Sequence, residues 1–256
     1  MNESLYVVTG ASRGMGAAIA EQLLLKGHVV LGISRTTNAE LAAKAPHAGA
    51  QLEQWPRDLA QAVAVADELE AWLRRFDAAR FDEAALINNA GVITRVGPMD
   101  ETTNAELSSA LRVGLEAAML LTASFLRATR AWRAMTQGHV KVLNISSGLG
   151  HRAMAGSAPY CAAKAGMHHF SRAVALDEAH RGRGARIVSL APGVIDTGMQ
   201  AQLRSSDPAG FPEKGLFLHM QEAGQLASPH DAATRVLAYL RRADFGSNPV
   251  GSVQDA

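Results

Sequence analysis

SLYVVTGASRGMGAAIAEQLLLKGHVVLGISR, residues 4–35, reads as strand, glycine turn, helix and strand in register. Leu5 to Val8 is a short apolar run rich in β-branched residues, as expected of a strand buried on both faces. Apolar residues at helical spacing occupy 17–25, Gly27 stops that helix, and 29–33 is a second buried strand. The glycines between the first strand and the helix are Gly10, Gly14 and Gly16, a G-x-x-x-G-x-G spacing. Gly10 permits a tight turn, Gly14 lets the backbone approach a pyrophosphate, and Gly16 lets the helix pack closely on the sheet. The ligand's negative charge then sits at the helix N-terminus, where free N–H groups meet it. A glycine loop by itself is also compatible with a structural βαβ turn. The four elements together point to a dinucleotide.

Working outward, the chain alternates helices and strands with no linker, repeat or low-complexity tract. Helices are expected over 39–45, 59–76, 104–135, 159–181 and 229–241, and strands over 50–54, 84–87, 140–145, 186–191 and 250–253. The strand at 84–87 leads into Asn88, and that at 140–145 delivers Ser146. One long irregular stretch, 197–228, contains RSSDPAGFPEKG and is the candidate substrate lid.

Composition bounds the function. The 256 residues suffice for one large α/β domain, 1–256, and leave nothing for a second. A net charge of +1 gives no reason to expect nucleic acid or a membrane as partner. No apolar run reaches transmembrane length, and the first strand starts too early to leave room for a signal peptide, so a cytoplasmic location is expected. The single cysteine, Cys161, excludes an intrachain disulfide and reads as a small core thiol. The nine histidines form no H-x-x-x-H or Cys/His cluster, so no metal site is expected.

The second chemical signal is Tyr160 and Lys164 in PYCAAKAG, with Ser146 upstream in VLNISSG. At i and i+4 the two side chains share a helix face. A lysine charge beside a phenol lowers its pKa and makes it usable as an acid or base. The pair alone fits equally a half-buried tyrosine beside a solvated lysine.

With TGASRGMG at 9–16, NNAG at 88–91, Ser146, Tyr160, Lys164 and PGVIDT at 192–197 in this order, the chain resembles the short-chain dehydrogenase/reductase family over residues 4–255. The resemblance implies an α/β, single-domain Rossmann fold: a doubly wound, seven-stranded, mostly parallel sheet with helices on both faces. It implies a catalytic set of Ser146, Tyr160 and Lys164, with Ser146 binding the substrate oxygen, Tyr160 protonating it, and Lys164 holding the nicotinamide ribose. Cofactor contacts are expected from Gly10, Ser12, Arg13, Gly14, Met15, Gly16, Ser34, Arg35, Asp58, Asn89, Ala90, Gly91, Tyr160, Lys164, Pro192, Gly193, Ile195 and Thr197. A homodimer or homotetramer is implied as well.

Cofactor preference follows from charge. An NAD site places an acid at the end of the second strand, whereas here Gly32-Ile33-Ser34-Arg35-Thr36 has none before Glu40. Arg35 and Arg13 suit a 2′-phosphate, so NADP(H) is expected. One departure is Gly114, in Val113-Gly114-Leu115, where the family's tetrad has an asparagine that holds a water. Its small size could admit a water directly.

GISRT after the second strand and PGVIDTGMQ followed by LRSS narrow the resemblance to sepiapterin reductases and bacterial benzil reductases. This implies an NADPH-dependent carbonyl reductase acting on a ketone or vicinal dicarbonyl. Leu149, His151, Met154, Met199, Phe211, Phe217 and Met220 are candidates for the pocket lining, and Asp255 for substrate recognition beside the blander reading of an exposed terminal acid. The alternative is a non-catalytic NADP-binding regulatory or scaffold protein of the same fold.

Overall fold

Along each central strand successive side chains point to opposite faces, and both faces are buried. On one face Leu5, Val7, Leu31, Leu86, Val142 and Ile187 join a core with Leu69, Leu121 and Phe125. On the other Tyr6, Val8, Val30, Ile87, Leu143, Ile145, Val188 and Leu190 pack with Ile19, Leu23, Val236 and Leu237. A sheet covered on both sides needs strands that are apolar throughout, which is how these strands read. The computed structural model describes residues 3–135 and 139–255.

The strands are β1 (Glu3–Thr9), β2 (Val29–Ser34), β3 (Gln51–Pro56), β4 (Phe81–Asn88), β5 (His139–Ile145), β6 (Arg186–Ala191) and β7 (Val250–Ser252). They form one seven-stranded sheet in the order β3-β2-β1-β4-β5-β6-β7, with every pairing parallel. The helices are α1 (Gly14–Leu23), α2 (Ala39–Ala48), α3 (Ala62–Leu73), α4 (Asn104–Leu111), α5 (Ala117–Ala128), α6 (Trp132–Met135), α7 (Ala158–Ala179), α8 (Gly198–Ser205), α9 (Lys214–Glu222) and α10 (Pro229–Leu240). Strand order reverses between β1 and β4, so their outgoing loops part there and leave a crevice at the carboxyl ends of the strands.

Three expectations need correction. The helix expected over 104–135 is broken: Arg112–Glu116 is a π-helical turn between α4 and α5, with the Ala117 N–H donating to the Arg112 carbonyl. Gly114 lies at its centre, where the absence of a side chain weakens regular α geometry. The stretch 197–228 is not irregular but holds α8 and α9, anchored where Ile195 bridges Ala227. Finally, the helical run Asn104–Ala128 is long and apolar enough to cross a membrane by length and composition. Its apolar side, Ala117, Leu121 and Phe125, is spent on the sheet core, and polar residues between them hid the run from a count of uninterrupted apolar positions.

Candidate active site

The crevice is a cavity of about 880 Å³. At one end the glycine loop leaves β1. Gly10 and Gly14 have φ of 69° and 56°, the left-handed region that favours glycine. A Cβ on Gly16 would collide with the Gly10 carbonyl, so only glycine lets α1 start so near the turn. The first turn of α1 carries no acid and no side-chain cap, so its amide N–H groups are available to a phosphate. The loop is pinned from across the switch point. The Asn89 and Ala90 N–H groups donate to Thr9 Oγ1 at 3.0 and 2.9 Å, and Asn89 Nδ2 donates to the Thr9 carbonyl at 3.0 Å. Asn89 thus holds the loop as well as lining the cavity.

All eighteen expected cofactor residues line this cavity: Gly10, Ser12, Arg13, Gly14, Met15, Gly16, Ser34, Arg35, Asp58, Asn89, Ala90, Gly91, Tyr160, Lys164, Pro192, Gly193, Ile195 and Thr197 are brought together there.

 Arg13 and Arg35 are exposed on its wall, and among the described residues neither guanidinium has an ion-pair or hydrogen-bond partner. Arg57 also lines the wall, but its guanidinium is paired with Glu68 at 2.9 Å. Free amides at a helix N-terminus, a close glycine approach and two unpaired guanidiniums fit a nucleotide with several phosphate groups.

The reacting centre lies where β5 ends and α7 begins. Ser146 is buried, its N–H donating to the Leu190 carbonyl at 2.8 Å and its Oγ 3.5 Å from the Lys164 carbonyl. Lys164 is buried too, and its Nζ donates to the Ile145 carbonyl at 2.7 Å. Burial lowers the Lys164 ammonium to about 8. The Nζ lies over the Tyr160 ring, 5.5 Å from its centroid. Enclosure of the phenol pushes Tyr160 up to about 12, with Ser147 acting weakly the other way. The expected lowering of the Tyr160 pKa by Lys164 is therefore reversed here: the ammonium is directed at a backbone carbonyl rather than at the phenol oxygen, and desolvation dominates.

Behind these residues runs a buried polar chain absent from the sequence reading. Asn88 Nδ2 donates to Asn144 Oδ1 at 2.8 Å, and Asn144 Nδ2 donates to Ser171 Oγ at 2.9 Å, tying β4, β5 and α7 together. Gly114 is buried against α7, where an added Cβ would stand 3.2 Å from the Ala163 Cβ.

Beyond Tyr160 the cavity wall is apolar. Leu149, Met154, Met199, Leu203, Phe217 and Met220 line it. Phe211 does not; it is fully buried behind Phe217, ring centroids 5.5 Å apart. His151 stays outside the lining and packs on His168 with centroids 4.4 Å apart. Asp255 also lies outside it, its Oδ2 accepting from the Ser252 N–H at 2.7 Å to close a terminal turn. Gln200, which the sequence reading missed, lines the cavity from α8 with its Oε1 buried and unpartnered.

The model of the short chain dehydrogenase family matches residues 4–208. The chain belongs to that family. It is an oxidoreductase. Among its relatives, benzil reductase ((S)-benzoin forming) of Bacillus cereus is 32% identical over 247 residues, covering 96% of each chain. The benzil reductase of Bacillus subtilis (strain 168) is 34% identical over 238 residues, covering 93% of each. Among solved structures, a metagenomic short-chain oxidoreductase in complex with NADP is 26% identical with a TM-score of 0.71, over 97% of this chain and 94% of that one.

Proposed function

We propose that this chain is an NADPH-dependent carbonyl reductase acting on a ketone or vicinal dicarbonyl of the benzil type, with Tyr160 as the general acid. The observation that carries the reading is the convergence of Ser146, Tyr160 and Lys164 between a phosphate-fitting loop and an apolar wall in one crevice. The relatives named benzil reductases support the substrate class. The unpaired Arg13 and Arg35 support the 2′-phosphate, and a related oxidoreductase holds NADP.

A nicotinamide dinucleotide supplies the hydride when bound. The chain's own residues handle orientation and the proton. Ser146 donates a hydrogen bond to the carbonyl oxygen and fixes its direction. Tyr160, protonated well above neutral pH, donates the proton that oxygen needs as it becomes an alkoxide. Lys164, charged at neutral pH, lies against the ring and stabilises the phenolate left behind. The apolar wall excludes water and takes up aryl groups.

The test is reduction of benzil by purified protein with NADPH and with NADH, with chiral analysis of the benzoin formed. Turnover with NADPH and much weaker turnover with NADH is the expected result. Tight NADPH binding without turnover of benzil or any other dicarbonyl would favour the binding-protein alternative.

A further inference from the structure

Charged side chains on the cavity wall are Arg13, Arg35, Arg57, Asp58, Lys164 and Arg152. All but the last have a use. Arg57 is neutralised by Glu68, and Asp58 Oδ1 accepts from the Ala60 N–H at 2.9 Å. Arg13 and Arg35 flank the glycine loop, and Lys164 is fixed on Ile145. Arg152 lines the cavity from the segment that leads from Ser146 past Leu149 toward Met154. It is exposed, and among the described residues its side chain makes no ion pair or hydrogen bond.

Its backbone is held firmly. The His151 and Arg152 N–H groups both donate to the Gly148 carbonyl at 3.1 Å, and Ser147 Oγ accepts from the Leu149 N–H at 3.2 Å. Gly150 lies so close on the buried His168 ring that a Cβ there would collide with it. The guanidinium is thus offered from a rigid turn, beside apolar Leu149 and Met154, with Asp58 the one carboxylate on the wall and already engaged.

We propose that Arg152 is a specificity-determining residue: the natural substrate is a carbonyl compound carrying a carboxylate, and Arg152 binds it. The proposal rests on the reductase reading. A planar guanidinium binds a carboxylate through two parallel hydrogen bonds, and apolar neighbours strengthen that attraction.

The experiment compares two probes, benzil and benzil bearing a 4-carboxylate, in NADPH-dependent reduction by the wild type, Arg152→Gln and Arg152→Lys. The expected wild-type preference, as kcat/KM of the carboxylated over the neutral probe, is roughly 10- to 100-fold and shrinks with added salt. Arg152→Gln abolishes that ratio through KM of the carboxylated probe, and Arg152→Lys restores part of it. Equal handling of the two probes by the wild type, or a ratio unmoved by Arg152→Gln, would make Arg152 a solvated rim arginine and overturn the proposal. Reduction of neither probe would sink the reductase reading, and the proposal with it.

Discussion

Lys164 Nζ lies over the face of the Tyr160 ring, 5.5 Å from its centroid, while donating to the Ile145 carbonyl at 2.7 Å. The pair therefore acts through charge and not through a hydrogen bond between them. With Lys164 lowered to about 8 and Tyr160 raised to about 12, the protein holds a neutral phenol beside a cation at neutral pH. That is the protonation state a reduction needs.

Carbonyl reduction should hold its rate up to about pH 8 and fall above it, as Lys164 loses its charge. A kcat profile on benzil checks this. Lys164→Met should lower kcat by roughly 100-fold or more and remove the alkaline limb. A limb of unchanged position in that variant would assign the ionisation to another group.

Arg35→Asp should raise KM for NADPH by roughly 10- to 100-fold and leave NADH less affected, since a guanidinium–phosphate contact is lost and a like charge put in its place. Steady-state kinetics with both cofactors measures it. Equal effects on the two would remove Arg35 from the 2′-phosphate.

In Gly16→Ala the new methyl meets the Gly10 carbonyl, so the loop must move. Overpacking of this kind costs about 1–3 kcal/mol, visible as a lower Tm, and NADPH affinity should fall with it. Unaltered fluorescence titration with NADPH would show that the loop does not need this close approach.

His168 is buried with neither ring nitrogen partnered, and it faces His151, Arg172 and Lys164. Burial, then those neighbours, lower it from the usual 6.5 to about 4. The unfolded chain binds the proton more readily between these values, so this group's contribution to stability falls as pH drops from about 6.5 toward 4. His168→Leu should flatten the acid limb of Tm against pH. A limb of the same steepness in the variant would place its origin elsewhere.

The sheet, the glycine loop and the order of the motifs were legible because each is a local pattern: apolar strands, Gly10-Gly14-Gly16, and a tyrosine and lysine one helical turn apart. What depends on direction was not. The i, i+4 spacing puts Lys164 on the face of Tyr160 but does not say that its Nζ turns to Ile145, so the sign of the tyrosine shift was missed. Gly114 was legible as a departure from the family pattern, yet its place in a π turn and its closeness to Ala163 are set by how α7 packs there. Residues 198–205 and 214–222 looked irregular because glycines and prolines flank them and few of their apolar residues are buried, Leu203 and Phe217 among them, while Leu216 and Leu218 stay exposed. The buried Asn88–Asn144–Ser171 chain joins residues far apart in sequence, and only folding brings them together.

The most direct test of the central claim is NADPH oxidation with benzil by the wild type and by Tyr160→Phe, alongside NADPH binding by each. The account expects turnover in the wild type, a loss of roughly 100- to 10,000-fold in kcat for the variant, and retained NADPH affinity. Turnover by Tyr160→Phe at the wild-type rate would contradict it.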